Sequence, residues 1–300
     1  MLIHTMYSYC KDTLGIDLTD GGIIMKAVWI STFICTFMMI SVSGFAQTSK
    51  CDGLSADAKT VAQNVLNSAY PYDCCDDTIA ACLKEPKPCK LAVRLADEVC
   101  RMAAAGKNEK DIKHILDQRA MTMTNVSAPA KIVVEPEHVW GNPKAKVVLS
   151  VYLCGRCPYC SRHVPALIHA LEKSDLKDKI AVNMRLFPIK SHDNSTPAAL
   201  AVESAAQQGK AWPFLLKLYE NFDNYSNDNL AVWAKELELD ESKFNTDSQA
   251  ANVRDKVVQS KKEGLTNSVE STPTFFLNGR KVQGTFDVDS MISMLEEAAD

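Results

Sequence analysis

Two cysteines separated by two residues stand where a strand-like run meets a helix-like segment. Residues 147–153 are apolar and β-branched, whereas residues 158–173 have helical periodicity, and Cys157 and Cys160 lie at and just after their junction. Unpaired N–H groups and the positive end of the helix dipole at such a position lower a thiol pKa. Pro158 suits the first helical position because its missing N–H would be unpaired there. The placement predicts Cys157 as a nucleophilic thiolate.

The residues around this thiol indicate a redox pair. Cys160 lies one helical turn further on, where it could resolve a mixed disulfide formed at Cys157. Arg156 is expected to lower the pKa of Cys157 further, and Tyr159 completes the segment between the cysteines. Half a zinc site or a structural bridge are the alternatives, but residues 161–300 contain no cysteine that would complete a zinc site.

Cys154 adds a third cysteine at the same spacing. The series Cys154, Cys157, Cys160 also has the spacing of iron–sulfur ligands, but a fourth ligand is missing nearby and Pro158 favours catalysis. Cys154 could regulate the pair by exchange or be buried as a small hydrophobic residue. The second interpretation is favoured.

The elements that must position these thiols follow from periodicity. Strands are predicted at 131–134, 147–153 and 180–187, and as a pair around the Asn-Gly turn of TFFLNGRKVQG. Helices are predicted at 158–173, through much of 196–262, and in VDSMISMLEEAA. This order predicts an α/β sheet with a helical insertion.

Three segments resemble the DsbA-like proteins. VVLSVYLCGRCPYCSRHVPAL is similar to their active-site segment, with Pro165 at the place of the helix-kinking proline, and VESTPTFFLNG is similar to their cis-proline strand. STPAALAVESAAQQGKAWPFLLKLYENF, around Trp212, is similar to the start of their helical insertion. The resemblance covers about residues 131–300. It implies a thioredoxin-like α/β fold with a helical insertion at about 191–262. The segment TNVSAPAK has no periodicity and is interpreted as a linker, so residues 126–144 are assigned to the linker and the first strand.

The resemblance also implies an activity and site residues. It implies a protein-disulfide oxidoreductase without a cofactor or metal, with Pro273 in the cis form and Thr272 pairing with the substrate backbone. Many relatives carry an acidic residue where Val151 stands, and often an aspartate where Cys154 stands. Proton transfer by a buried carboxylate therefore lacks its usual residue here. Core packing for Trp212 and a loop position for His192 are the favoured interpretations of those two residues.

A second group of cysteines precedes this region. An even set of six in a short helix-patterned segment predicts up to three bridges, with fifteen possible connectivities. Its members are Cys51, Cys74, Cys75, Cys82, Cys89 and Cys100. Residues 47–125 are therefore interpreted as a small disulfide-rich all-helical domain, in preference to a second redox or metal site. The segment 89–120 also has a short likeness to CcmH-type cytochrome-maturation proteins, which hints at haem-protein thiols as substrates.

The N-terminus indicates export. Residues 25–46 read as a signal peptide, with one lysine, an uncharged stretch and a small-residue cleavage site after Ala46; a retained membrane anchor is the alternative. Residues 1–24 carry acids where a basic segment is expected, so they are interpreted as an untranslated or non-native extension. The mature protein is expected to be periplasmic or otherwise exported.

These observations predict an exported enzyme that exchanges disulfides with client proteins and is recycled by a membrane redox partner. The net charge of −4 provides no basic surface for nucleic acid. Oxidation is the favoured direction. The alternatives are a reductase or isomerase linked to cytochrome c maturation, a periplasmic metal- or cluster-binding protein, and a disulfide-stapled scaffold.

Overall fold

The computed structural model describes residues 49–124, 128–284 and 287–300. The predicted signal peptide at 25–46 and extension at 1–24 lie outside these residues. Within the described ranges, no helix combines the length and the apolar character that crossing a membrane requires.

The N-terminal region is built from helices that begin at side-chain caps. They are α1 (Ala56–Leu66), α2 (Ile79–Cys82), α3 (Lys90–Ala104) and α4 (Glu109–Met123). Ser55, Thr78 and Asn108 each accept a hydrogen bond from a first-turn N–H of the helix that follows, which supplies a partner for a group that lacks one within the helix. Gly106 follows α3 at φ 79°, a conformation that glycine adopts without steric cost.

All six cysteines of this region are paired. The bridges join Cys51 to Cys100, Cys74 to Cys89 and Cys75 to Cys82. Cys89 is the N-cap of α3 and Cys100 lies within that helix, and each finds its partner outside it. Two bridges therefore fix segments that precede α3 against that helix, and the third joins Cys75 to the end of α2.

A five-stranded mixed sheet forms the centre of the second region. Its strands are β1 (Val139–Gly141), β2 (Val147–Leu153), β3 (Ile180–Leu186), β4 (Thr274–Leu277) and β5 (Arg280–Lys281). The order across the sheet is β1-β3-β2-β4-β5, with β2 and β3 parallel and the other neighbours antiparallel. β2 is therefore the central strand, and nearly all of its residues are buried.

The strand predicted at 131–134 is wrong. Its main chain is bonded by side chains instead of by a neighbouring strand: Val133 N–H donates to Glu263 Oε2 at 2.9 Å, and Val133 O accepts from Asn183 Nδ2 at 2.9 Å. The edge position beside β3 belongs to β1, a few residues later. β-branched composition indicates an extended chain, but it does not determine which groups form hydrogen bonds with the main chain of that segment.

Helices flank this sheet and form the predicted insertion. They are α5 (Pro158–Glu172), α6 (Ser195–Ala206), α7 (Ala211–Glu220), α8 (Asn229–Glu236), α9 (Glu241–Gln249), α10 (Ala251–Thr266) and α11 (Val288–Ala299). α11 packs against α5 and β2, and α10 packs against β3. The thioredoxin-like α/β architecture with a helical insertion and a disulfide-rich helical N-terminal region is confirmed.

A buried polar network joins α11 to the N-terminal helices. Arg119 of α4 donates to Glu98 of α3, to Glu297 of α11 at 2.7 Å and to Ser293 at 3.0 Å. The Arg119 and Glu98 side chains are only 2% and 3% exposed. Buried charges are costly without partners, so this network holds the two regions in one arrangement.

Candidate active site

The site begins where the central strand ends. β2 runs directly into Cys154, and Cys157 N–H donates to Cys154 O at 3.0 Å, which closes a turn before α5. Cys157 caps α5 and Pro158 is its first residue. The sequence thus places the expected thiol at the helix N-terminus.

The environment of Cys157 favours its thiolate. Hydrogen bonding from the Cys160 side chain lowers the pKa of Cys157 to about 5; burial opposes this, and the Thr272 side chain and the N–H groups of Cys160 and Tyr159 add to it. The helix N-terminus therefore contributes as expected, but the neighbouring thiol is the largest cause. A pKa of about 5 makes the thiolate the predominant form of Cys157 at neutral pH.

The other two thiols are held in the protonated form. Burial raises the pKa of Cys160 well above its usual range, and the ionised Cys157 adds to the shift. Burial also raises the pKa of Cys154. Among the described residues, Cys154, Cys157 and Cys160 are the cysteines without a disulfide. One thiolate thus stands beside two buried proton-bearing thiols.

The segment before β4 faces this thiolate. The Thr272–Pro273 peptide bond is cis, and Cys157 Sγ lies 3.1 Å from Thr272 O, to which the protonated thiol donates. The structure therefore brings together two segments more than a hundred positions apart in the sequence, one containing Cys157 and Cys160 and the other Thr272 and Pro273. Thr272 is positioned to offer its main chain to a substrate; that role stays a prediction.

Arg156 points toward the insertion. Its guanidinium donates to Phe222 O at 2.7 Å and its Cζ lies 4.4 Å and 4.3 Å from the ring centroids of Phe222 and Tyr225. These contacts fix the insertion against the active-site turn, and the expected effect of Arg156 on the thiolate stays a prediction. Pro158 and Tyr159 are exposed, whereas Cys157 itself is buried.

Two polar residues near the thiols were not assigned a role from the sequence. The buried Tyr219 hydroxyl of α7 donates to Cys154 O at 3.1 Å, and His192 Nδ1 lies 3.4 Å from Cys154 Sγ. His192 was expected to be a simple loop residue, and no motif marks Tyr219. Only the folding of the insertion over the turn brings them here.

One cluster away from the thiols has the composition of a metal site. Carboxylate oxygens of Glu135 and Glu137 and a ring nitrogen of His138 lie within 4.8 Å of one another. Lys256 already supplies a cation there, because its Nζ lies 2.9 Å from Glu137 and 3.5 Å from Glu203. Trp212 is buried and donates to His138 O at 2.8 Å, which agrees with its expected packing role.

The family model described as thioredoxin matches residues 134–297. This chain belongs to the thioredoxin family. The match begins after the disulfide-rich helices and includes the whole sheet, the insertion and the three clustered thiols.

Curated proteins similar to this chain include two Na(+)/H(+) antiporters. The Na(+)/H(+) antiporter NhaA 1 of Mycobacterium sp. strain KMS is 32% identical over 168 residues, or 54% of this chain and 27% of that protein. The NhaA antiporter of Herminiimonas arsenicoxydans is 30% identical over 165 residues, or 54% and 26%. The chain thus spans about a quarter of the length of these curated relatives.

Solved structures extend the comparison to the fold. The oxidised BdbD of Bacillus subtilis has a TM-score of 0.51 at 18% identity, covering 58% of this chain and 99% of that one. A thioredoxin-like oxidoreductase of Silicibacter pomeroyi DSS-3 has a TM-score of 0.47 at 26% identity, covering 55% and 93%. The thioredoxin-like fold predicted from the sequence is confirmed.

Proposed function

We propose that this protein is an exported thiol–disulfide oxidoreductase that exchanges disulfides with client proteins through Cys157 and Cys160. The observation that carries the proposal is the asymmetry of the pair: the pKa of Cys157 is lowered to about 5, whereas that of Cys160 is raised. Cys157 is therefore the sulfur that exchanges with the client, as the leaving thiolate in oxidation and as the attacking thiolate in reduction, and Cys160 is its partner in the disulfide.

Cys157, Cys160 and the client thiols each have a defined step in the exchange. In oxidation, a client thiolate attacks Cys157 Sγ of the Cys157–Cys160 disulfide, and Cys160 leaves as a thiolate that takes up a proton. A second client thiolate then attacks the client sulfur of the mixed disulfide, and Cys157 leaves as a stabilised thiolate. Reduction is the same sequence in reverse. Thr272 would hold the client backbone beside Cys157 during both steps.

Oxidation is the proposed direction because the reduced state contains a stabilised thiolate. A dithiol whose reduced form is stabilised is a stronger oxidant when disulfide-bonded. Continuous turnover then needs a membrane redox partner that restores the disulfide, and the predicted signal peptide would deliver the enzyme to the periplasm.

The reduction potential of the Cys157–Cys160 pair tests this proposal. We expect a value near the oxidising end of the range, about −120 mV, in mature protein whose three N-terminal bridges are intact. The Cys157→Ser variant, which has no such couple, is the matched control. A value near about −270 mV would instead favour a reductase, including one acting in cytochrome c maturation. A pair that is unreactive or purified with bound metal would contradict the enzyme and favour the metal-carrier alternative.

A further inference from the structure

Cys154 is buried beside the reactive pair and contacts a basic side chain. Its Sγ lies 3.4 Å from His192 Nδ1, and it bears no disulfide. The exchange chemistry described above uses neither residue. A cysteine that only fills space in a core needs no contact with an imidazole, so this pairing calls for a chemical explanation.

The backbone keeps Cys154 close to Cys157. The hydrogen bond from Cys157 N–H to Cys154 O, at 3.0 Å, closes a four-residue turn. The end Cα atoms of such a turn lie within about 7 Å of each other. Disulfides join Cα atoms about 4.4 to 6.8 Å apart, so the turn brings the pair to the range in which a bridge forms. Cys157 therefore has one potential partner on each side, Cys160 in the helix and Cys154 in the turn.

We propose that Cys154 is a second resolving thiol for Cys157 and that His192 is the base that activates it. The proposal rests on the function proposed above, because it requires a mixed disulfide at Cys157. It adds a route by which that intermediate is released without Cys160.

The step balances within the protein and its client. His192 Nδ1 takes the proton from the Cys154 thiol, and the resulting thiolate attacks Cys157 Sγ. A Cys154–Cys157 bond forms, the bond from Cys157 to the client sulfur breaks, and the client thiolate leaves and takes up a proton from His192 or from water. Cys154 is oxidised and the client sulfur is reduced. The same attack on the Cys157–Cys160 disulfide releases Cys160 and needs no external oxidant.

Burial explains why a base is required. Because burial raises the pKa of Cys154, this thiol retains its proton at neutral pH and does not attack unaided. His192 is only half-buried, so the proton that it accepts can pass to solvent. Tyr219 donates to Cys154 O and so fixes the main chain of the turn while the thiol moves.

The test follows a mixed disulfide in a protein that lacks Cys160. The Cys160→Ser protein, with its N-terminal bridges intact, is treated with one equivalent of an aromatic disulfide whose released thiolate is coloured. Attack by Cys157 releases the first coloured thiolate, and attack by Cys154 releases the second. We expect a second release in Cys160→Ser at a rate independent of protein concentration, and none in Cys154→Ser/Cys160→Ser.

A histidine variant tests the base. His192→Gln in the Cys160→Ser background is expected to slow the second release on the order of a hundredfold, which is typical of a lost general base, and to leave the first release unchanged. His169→Gln, which changes an exposed histidine of α5, is the matched control and should change neither step. An equal second release with His192→Gln would overturn the role of His192.

The remaining outcomes separate this proposal from the proposed function. A normal first release with a mixed disulfide that persists equally in Cys160→Ser and the double variant overturns the role of Cys154 alone. No first release even in the unmodified protein overturns both. An independent measurement uses the unmodified oxidised protein: trypsin cleaves after Arg156, so a Cys154–Cys157 bridge joins two peptides, whereas a Cys157–Cys160 bridge lies within one. Finding the joined peptides supports the proposal, and their absence overturns it.

Discussion

At the scale of single residues, one negative charge lies on Cys157, and the two neighbouring thiols, Cys154 and Cys160, keep their protons. Cys160 lowers the pKa of Cys157 by hydrogen bonding to it, and the resulting thiolate in turn raises the pKa of Cys160. Each thiol therefore sets the protonation state of the other. The reactive state belongs to the pair and not to Cys157 alone.

The pH dependence of alkylation should report this coupling. Since only the thiolate reacts, the alkylation rate of Cys157 should rise as the pH passes through about 5 and then level off, whereas an ordinary thiol continues to gain reactivity up to about pH 8.5. Cys160→Ala removes the hydrogen-bond donor, so the midpoint should move to higher pH.

Cys160→Ser is the matched comparison for this experiment, because its hydroxyl can still donate to Cys157. Its midpoint should lie below that of Cys160→Ala. A Cys160→Ala midpoint that stays at about 5 would show that the helix N-terminus and Thr272 suffice to stabilise the thiolate. Cys157→Ser gives the background from other groups.

At the scale of elements, the central strand and its helix were predicted almost to the residue. β2 and α5 are bounded by changes that composition reveals: an apolar run ends at Cys154, and Pro158 begins a helix. Segment 131–134 has strand composition, yet its partners are the side chains of Asn183 and Glu263, which no local pattern specifies.

The limits of prediction at the site have the same origin. The two cysteines and the cis-proline lie in recognisable motifs, but His192 and Tyr219 are 38 and 65 residues from Cys154 in the sequence. Their contacts depend on how the loop after β3 and the insertion fold back over the turn. Long-range packing of this kind leaves no periodic signal in the chain.

Because α10 approaches the sheet closely, we predict that a larger residue at Gly264 destabilises the protein. A Cβ atom at Gly264 would lie 2.7 Å from Phe187 Cδ2 and 3.0 Å from Tyr152 Cδ1. Gly264→Ala should therefore destabilise the protein by about 1–3 kcal/mol through overpacking, although alanine is favoured over glycine in a helix by about 1 kcal/mol. Urea unfolding measures the change.

Lys262→Ala is the control for that substitution, since it alters an exposed position of the same helix and should change the free energy of unfolding by less than about 0.5 kcal/mol. A Gly264→Ala protein more stable than the parent would mean that helix propensity outweighs the contact with Phe187 and Tyr152.

At the scale of the whole molecule, the disulfide-rich helices and the thioredoxin-family region are joined by charge as well as by apolar packing. Glu98 and Arg119 are buried, while other ion pairs of the same contact, such as Lys90 with Asp300, are exposed. Buried and exposed ion pairs contribute differently to the free energy of unfolding. A buried charge that loses its partner is strongly destabilising, whereas an exposed charge is solvated by water. The two kinds therefore predict different responses to substitution.

Arg119→Met should destabilise the protein by about 3–5 kcal/mol, because it leaves Glu98 and Glu297 without their cation. Lys90→Met, at the exposed pair, should cost no more than about 1 kcal/mol. Denaturant unfolding of both variants gives the comparison. Adding Glu98→Gln to Arg119→Met should restore part of the loss, and equal losses from Arg119→Met and Lys90→Met would contradict the importance of the buried pair.

The three N-terminal bridges are nested in sequence. The span from Cys75 to Cys82 lies inside that from Cys74 to Cys89, which lies inside that from Cys51 to Cys100, with separations of 7, 15 and 49 residues. No two spans overlap without nesting, so each bridge can form without passing one part of the chain through a loop that another bridge has closed. Closing the smallest loop shortens the path that the next must span, and shorter loops lose less entropy on closure. Exchanging the partners of the adjacent Cys74 and Cys75 would give two spans that overlap without nesting, so the nested order distinguishes the native pairing from that alternative.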